Sequence, residues 1–257
     1  MHVLILGGTT EASDLAHLLA DDRRFEVTLS LAGRVSNPRK QPVRTRIGGF
    51  GGPDGLADWL QQEAIKAVID ATHPYADQIS SNAVTACQRL AIPLASIIRP
   101  AWQPQPDDTW LTVETTEAAA DALGPEPRRV FLSLGRLELG VFAGRPHHHY
   151  IARMIDPPDD IALPPDMRLI FDRGPFNRQA ETALLEQEKI DMLVSKNSGG
   201  AATYAKIEAA RALGIPVVMI TRPQKPHGDA LENAGGAVEW MERQLAHRTT
   251  PCSARGV

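Results

Sequence analysis

Short runs of β-branched and leucine residues alternate along this chain with helical patterns roughly ten residues long, and this alternation restricts the possible folds more than any other feature. Val3–Leu6, Glu26–Leu31, Val43–Ile47, Ala67–Asp70 and Leu94–Ile98 read as strands. Glu11–Ala20, Gly55–Gln62 and Asp77–Leu90 place apolar residues three and four apart, the spacing of one helix face. Strands that alternate with helices build βαβ units around a parallel sheet, so the fold class is α/β. The stretch PAWQPQPDDTW, from Pro100 to Trp110, interrupts the pattern with turn-forming residues, and a domain boundary is expected near residue 112. A second series follows, with strands at Val130–Leu134, Tyr150–Ile155, Leu169–Phe171, Met192–Val194 and Val217–Ile220. Its helices are expected at Glu114–Leu123, Asn177–Glu188 and Tyr204–Leu213. The organisation predicted is a first domain over 1–112, a second over 113–246 and a flexible tail, HRTTPCSARGV, over 247–257. Two parallel α/β domains facing one another would enclose a central cleft.

At 257 residues the chain is long enough for two such domains. It carries 27 Lys and Arg against 31 Asp and Glu, a net charge of −4. Residues 1–112 hold 10 basic and 12 acidic residues, leaving 17 and 19 for the rest, so each part nets −2. Neither part has the basic excess of a nucleic-acid-binding module, and an anionic ligand must be held by local cations. No apolar run approaches the roughly 20 residues that span a bilayer, and the first is too short for the core of a secretion signal. The expected setting is the cytoplasm, with no membrane partner. Cys87 and Cys252 form no metal or redox spacing and read as free thiols. His147-His148-His149 alternate faces on a strand and cannot close on one ion, so no metal is expected.

The two halves echo each other. Ala91 to Pro100, AIPLASIIRP, aligns without a gap on Gly214 to Pro223, GIPVVMITRP, and each follows a predicted helix. A polar turn opens that helix in each half, THPYAD in the first and SKNSGG in the second. Either the halves repeat one architecture, or a small residue followed by Ile-Pro is simply a common entry into a strand.

The first strand runs into Gly7-Gly8-Thr9-Thr10-Glu11. In a doubly wound sheet the phosphates of a dinucleotide lie over this turn, where glycines admit the backbone and the helix start offers unpaired N–H groups. The G-x-G-x-x-G spacing is absent, with Thr9, Thr10 and Glu11 in its later positions, so a plain strand-turn-helix junction is the other reading. The second strand ends in SLAGR without the acidic residue that an NAD site offers the ribose, and Ser30 and Arg34 suggest NADP, with a solvated loop arginine as the alternative. Ile47-Gly48-Gly49-Phe50-Gly51-Gly52 forms a flexible loop able to lie across a cofactor, or a turn before the next helix.

Thr72-His73-Pro74-Tyr75 follows the fourth strand; Thr72 is placed to cap the next helix, Pro74 to occupy its first turn, and His73 and Tyr75 to stand at the sheet rim where ligands gather. Ser195-Lys196-Asn197-Ser198-Gly199-Gly200 combines small residues, donors and a cation before the helix containing Tyr204 and Lys206, which makes an anion cradle or a turn with no ligand. Arg34, Arg99, Arg136, Arg173, Lys196 and Arg222 each fall near the carboxyl end of a predicted strand. They either line a positively charged cleft suited to carboxylates or form internal salt bridges with Asp70, Asp172 or Asp191.

GGTTEA, SLAGR, IGGFGG, DATHPYA and SKNSGG, in this order and at these distances, resemble the precorrin-6A reductase family of cobalamin biosynthesis, and the resemblance runs from Met1 to about Trp240. It implies two Rossmann-like domains and NADPH as the donor of a hydride to one double bond of precorrin-6A, giving precorrin-6B. It also implies a tetrapyrrole-derived polycarboxylate as substrate and neighbouring enzymes of the pathway as partners. His73 and Tyr75 are then expected near the nicotinamide and the substrate, with the proton coming from His73, Tyr75, Lys196 or water. The cofactor set comprises Gly7, Gly8, Thr9, Thr10, Glu11, Ser30, Gly33, Arg34, Gly49, Phe50, Gly51 and Thr72. The substrate set comprises Arg99, Arg136, Ser195, Asn197, Ser198, Gly199, Gly200, Tyr204 and Arg222. Two readings compete: a nucleotide-sensing regulator without chemistry, and another NADP-dependent reductase. Against a reductase of the short-chain type, no Tyr-x-x-x-Lys pair follows a suitable strand, since Tyr204 and Lys206 are two apart.

Overall fold

The computed structural model describes residues 1–33, 35–158 and 161–249. The chain begins β1 (His2–Leu6), α1 (Thr10–Leu19), β2 (Glu26–Leu31), β3 (Arg44–Ile47), α2 (Gly52–Gln62), β4 (Ala67–Asp70), α3 (Asp77–Leu90) and β5 (Leu94–Ile97). It continues with β6 (Trp110–Val113), α4 (Thr116–Asp121), β7 (Arg129–Ser133), a run of 3-10 turns over Arg136–Gly144, β8 (His149–Met154), β9 (Met167–Phe171), α5 (Arg178–Gln187), β10 (Met192–Lys196), α6 (Ala205–Leu213) and β11 (Val217–Ile220). It ends with β12 (Asp229–Leu231) and α7 (Ala234–Thr249).

Two compact units result. One comprises Met1–Arg99 with the segment from Gln224 onward, the other Pro100–Pro223. The first holds a sheet ordered β12-β5-β4-β1-β2-β3, the second a sheet ordered β6-β11-β10-β7-β8-β9. All ladders in both are parallel. Counted from β3 and from β9, the order in each is that of a doubly wound nucleotide-binding sheet, with the winding direction reversing between β1 and β4 and between β7 and β10. The alternation of strand and helix therefore led to the correct fold class.

The division of the chain differs from the one expected at residue 112. β6 follows β5 in sequence but pairs with β11, and β12 follows β11 but pairs with β5. Each unit thus takes its outermost strand from across the connection. β6 has half its residues exposed and β12 has three residues, so neither shows a sequence period that would reveal it. α7 packs on the first unit through Ala237, Trp240 and Met241, and its last turn contains residues 247–249, which were expected in the tail. The remaining tail residues, 250–257, lie outside the described residues.

β1 shows why the first unit is layered. Val3 and Ile5 face one cluster with α1 and α7, while Leu4 and Leu6 face another with α2 and α3. These side chains are at most 2% exposed, and each contributes about 1.5–3 kcal/mol by burial. The repeat is visible in detail as well. β5 and β11 occupy the same place in their sheets, and the helices before them end on left-handed residues, Ala91 at φ 51° and Gly214 at φ 65°.

The second unit buries a cation. Lys206 is 3% exposed beneath the Trp102 ring, 4.9 Å from its centroid, and its ammonium donates to Thr203 O at 2.8 Å. Burial, then the nearby Arg153, pushes the amine down to about 7, with Glu181 opposing them. The unfolded chain, at the ordinary 10.5, therefore binds the extra proton between these values, and stability rises as pH goes from about 7 to about 10.5. Lys206→Met should stabilise the protein at pH 7 by about 1–3 kcal/mol and flatten that slope, as read from urea midpoints at pH 7 and pH 9.

Candidate active site

Ligands of doubly wound sheets gather at the carboxyl ends of the strands, where the winding reverses. In the first unit that point is the pair of turns after β1 and β4. Gly7 donates its N–H to Ser30 O at 2.9 Å, and a Cβ there would stand 2.6 Å from the buried Leu29 Cδ1. Gly8 adopts φ 111°, with nothing within 4 Å of where a Cβ would be. The turn is thus tight beneath and open above. Thr9 caps α1 by accepting from Ala12 N at 3.2 Å, and its hydroxyl donates to Ala71 O at 2.6 Å, tying the β1 turn to the β4 turn. Thr10 begins the helix. Glu11 accepts from Arg99 Nη1 through both carboxylate oxygens, at 2.8 and 2.7 Å. Burial alone would raise the Glu11 carboxyl, but the Arg99 hydrogen bond and charge outweigh it and hold it below the usual carboxylate range.

The turn after β4 is organised by Asp70, which is 1% exposed. Its carboxylate accepts from Thr72 N at 3.0 Å, Thr72 Oγ1 at 2.6 Å and Ser80 Oγ at 2.6 Å, with Lys225 Nζ at 3.1 Å. Lys225 also donates to Thr72 Oγ1 at 2.8 Å. Thr72 therefore does not cap α3, as its position suggested. The helix begins at Asp77 behind Ala76, without a side-chain cap, and Pro74 lies in the preceding turn rather than in the helix. The reason is proximity: Asp70 is two residues away and takes the hydroxyl first. His73 and Tyr75 stand on this turn with ring centroids 5.6 Å apart, and Tyr75 N–H donates to His73 Nδ1 at 3.4 Å.

One strand further out, Arg46 does what sequence reading did not anticipate. Its Nη1 donates to Ser30 Oγ at 2.7 Å and Gly48 O at 3.0 Å, its Nη2 to Gly49 O at 2.9 Å, and its guanidinium lies 3.8 Å from the Phe50 ring centroid. Phe50 packs edge-on against Trp59. A Cβ on Gly48, Gly49, Gly51 or Gly52 would meet nothing within 4 Å, so open space borders this loop. Gly33, at φ 75°, sits against Ile47, and Arg34 lies outside the described residues. β3 reads Arg44-Thr45-Arg46-Ile47, three polar residues before one apolar, and no period in it singles out Arg46.

In the second unit the corresponding point is bridged by Lys196, the last residue of β10, whose ammonium pairs with Glu138 after β7; Glu138 also accepts from Gly135 N at 2.7 Å. Ser195 is buried, donating to Lys196 O at 3.1 Å, and Ser198 N donates to the same carbonyl at 2.8 Å. Asn197 clasps the backbone of Trp102, accepting from its N–H at 2.8 Å and donating to its carbonyl at 3.0 Å. The Trp102 indole N–H donates to Gly200 O at 2.9 Å. Arg222 donates to Asn197 O at 2.7 Å and Pro100 O at 3.0 Å. Gly199, at φ 65°, leaves no room for a Cβ between Arg222 and Pro100. SKNSGG is thus a clasp around Pro100–Trp102. Tyr204 packs on Trp102 and accepts from Arg211 Nη2 at 2.7 Å. Arg136 and Arg173 are half-buried just beyond β7 and β9. Leu137 in the 3-10 run after β7, Ile155 just past β8 and Phe171 at the end of β9 are large apolar residues exposed by 63%, 41% and 54%. Sequence patterns cannot mark them, because exposure is decided by what fails to cover them.

Arg99, placed with the substrate residues by its strand-end position, is in the first unit and pairs with Glu11. Among the described residues there is no cluster of three or more His, Cys, Asp or Glu able to hold a metal. No helix among them is long and apolar enough to cross a membrane. Cys87 is buried, and burial pushes its thiol up to about 12.

Comparison with known proteins gives a consistent result. The model of the family described as precorrin-6x reductase CbiJ/CobK matches residues 2–242. A precorrin-6A reductase of Sinorhizobium sp is 48% identical over 97% of this chain and 94% of that protein, and one of Rhodobacter capsulatus is 47% identical over 99% of both. A cobalt-precorrin-6A reductase of Priestia megaterium is 29% identical over 88% of this chain and 92% of that protein. The solved structure of a CobK precorrin-6A reductase superposes with a TM-score of 0.90 at 47% identity, covering 95% of this chain and 97% of that one.

Since the Asp70 carboxylate holds the β4 turn through four contacts while Lys225 is 14% exposed, the two partners should differ in cost. Asp70→Ala is expected to lower stability by about 2–4 kcal/mol and Lys225→Met by about 1 kcal/mol, measured by urea unfolding at pH 7.

Proposed function

The chain belongs to the precorrin-6x reductase family and is an oxidoreductase of cobalamin biosynthesis, and from that premise we propose that its hydride donor is NADPH and its substrate the metal-free precorrin-6A, which it converts to precorrin-6B. Family membership implies a nicotinamide cofactor, and the observation that carries its placement is the turn after β1. Gly8 is open above, Thr9 is locked beneath, and α1 begins at this turn with the positive end of its dipole, a combination that suits a pyrophosphate. The metal-free substrate is supported by the relatives named for it, 43–48% identical, against 27–29% for those named for the cobalt-bearing one.

Gly7, Gly8, Thr9 and Thr10 form the phosphate turn, while Glu11 and Thr72 act through the contacts that set it. The glycines at 48, 49, 51 and 52 admit the adenosine end close to backbone. When bound, the nicotinamide supplies the hydride for one carbon of the conjugated double bond. The chain must orient the two carbons and bring a proton to the neighbouring one. His73 and Tyr75 stand at the winding reversal of the cofactor unit, and an imidazole can both take up and release protons at neutral pH. Lys196 stands at the corresponding point of the other unit, its charge balanced by Glu138. In that unit Arg136 and Arg173 supply cations for the carboxylates of the macrocycle, and Ser195, Asn197, Ser198, Gly199, Gly200, Tyr204 and Arg222 shape the turn beside them. The exposed Leu137, Ile155 and Phe171 offer apolar area to its face.

The test is NADPH consumption followed at 25 °C with and without precorrin-6A. Oxidation is expected when the macrocycle is present and absent without it; a nucleotide sensor would bind NADPH and consume none in either case. His73→Ala should lower turnover by about 100-fold while NADPH affinity stays within about twofold, and equal turnover would remove His73 from the mechanism.

A further inference from the structure

Among the described residues, no carboxylate pairs with Arg46. Arg24, Arg44, Arg89, Arg99, Arg129, Arg145, Arg153, Arg168 and Arg211 all pair with Asp or Glu. The Arg46 partners are a hydroxyl, two backbone carbonyls and the faces of Phe50 and Trp59. All are neutral, so they fix the direction of the guanidinium without cancelling its charge. Burial with no compensating anion also draws its pKa down. A half-buried, oriented and uncompensated cation is costly to a fold unless a ligand completes it.

Its location says which ligand. Arg46 lies in register with Ser30 on β2, and Ser30 in register with Leu6 on β1, immediately before the Gly7-Gly8 turn. Neighbouring strands are about 4.8 Å apart, so the Arg46 backbone is roughly 10 Å to one side of the phosphate turn, at the ends of the second and third strands. In a doubly wound sheet that is where the ribose next to the adenine lies, and where its 2′ position is read. The loop over it is made of glycines with open space around them, and a guanidinium carries five N–H donors, more than the three bonds to Ser30, Gly48 and Gly49 use.

We propose that Arg46, held by Ser30 and the Gly48 and Gly49 carbonyls, binds the 2′-phosphate monoester of the adenosine ribose and so makes the first unit select NADPH over NADH. The inference rests on the NADPH reading above and replaces Arg34 with Arg46 as the discriminating cation. Ser30 is a positioning residue in this arrangement, since its oxygen accepts from Nη1 and fixes the fork.

The experiment is a tryptophan-fluorescence titration of the full chain with adenosine 2′,5′-bisphosphate, 5′-AMP, NADPH and NADH, on wild type, Arg46→Met, Arg46→Lys and Arg34→Ala. Wild type should prefer each 2′-phosphorylated ligand over its counterpart by about 10- to 100-fold. Arg46→Met should reduce that ratio to within about threefold by weakening the phosphorylated ligands alone, leaving 5′-AMP and NADH affinities unchanged; Arg46→Lys should retain part of the preference. A ratio that survives in Arg46→Met, or one that is lost in Arg34→Ala instead, overturns the assignment to Arg46 and leaves the NADPH reading standing. No preference in wild type overturns the NADPH reading itself, and the assignment with it. Unchanged 5′-AMP binding in Arg46→Met also shows that the unit has folded, and Arg46→Lys gives the same comparison if it has not.

Discussion

Parallel strands must be covered on both faces, because the crossovers that join them deposit helices on each side and no polar face is left over. β1 expresses this constraint most directly: Val3 and Ile5 go to one layer, Leu4 and Leu6 to the other, and none is more than 2% exposed. With both faces sealed, the chain can present polar groups to a ligand only at the sheet rims. Right-handed crossovers bring every turn that precedes a helix to the carboxyl rim. The concentration of glycines, histidines and cations after β1, β3, β4, β7 and β10 follows from that geometry.

At those rims, charge is allotted with little surplus. Arg99 meets Glu11, Lys225 meets Asp70 and Lys196 meets Glu138, so the cations at three strand ends serve mainly to stiffen turns. Arg222 and Asn197 close on the backbone of Pro100 to Trp102, which makes SKNSGG a structural clasp. A protein with net charge −4 can therefore hold an anionic cofactor through a small number of uncompensated donors, placed where low dielectric makes each of them count. Beyond β7, β8 and β9 the second unit instead leaves the apolar side chains of Leu137, Ile155 and Phe171 exposed.

The helix and strand periods were legible because burial on one face repeats every 3.6 or every two residues, and β1, β2, β4, β5 and α3 lie within a residue of where those periods put them. The glycine turn and the DATHPYA and SKNSGG turns were also legible, as local residue types with known backbone demands. β6 and β12 were not. Each is short and largely exposed, and each is a strand only because β11 or β5 offers it an unpaired edge more than a hundred residues away in the chain. Thr72 was misjudged for a similar reason: its hydroxyl suits a helix cap, but Asp70 and Lys225 compete for it, and Lys225 arrives from the far end of the sequence.

Local pattern by itself determined the α/β class, the doubly wound halves, the candidate turns and the family, because these depend on residues near one another in the chain. Tertiary structure decided which cations remain uncompensated, which hydroxyls are already engaged, and where each unit ends. Those properties are set by pairings between distant segments, and a pairing energy depends on distance and burial that no single stretch of sequence contains. Arg46 and Arg99 are both arginines near a strand end; a glutamate 88 positions before Arg99 neutralises one, and a hydroxyl and two carbonyls leave the other charged.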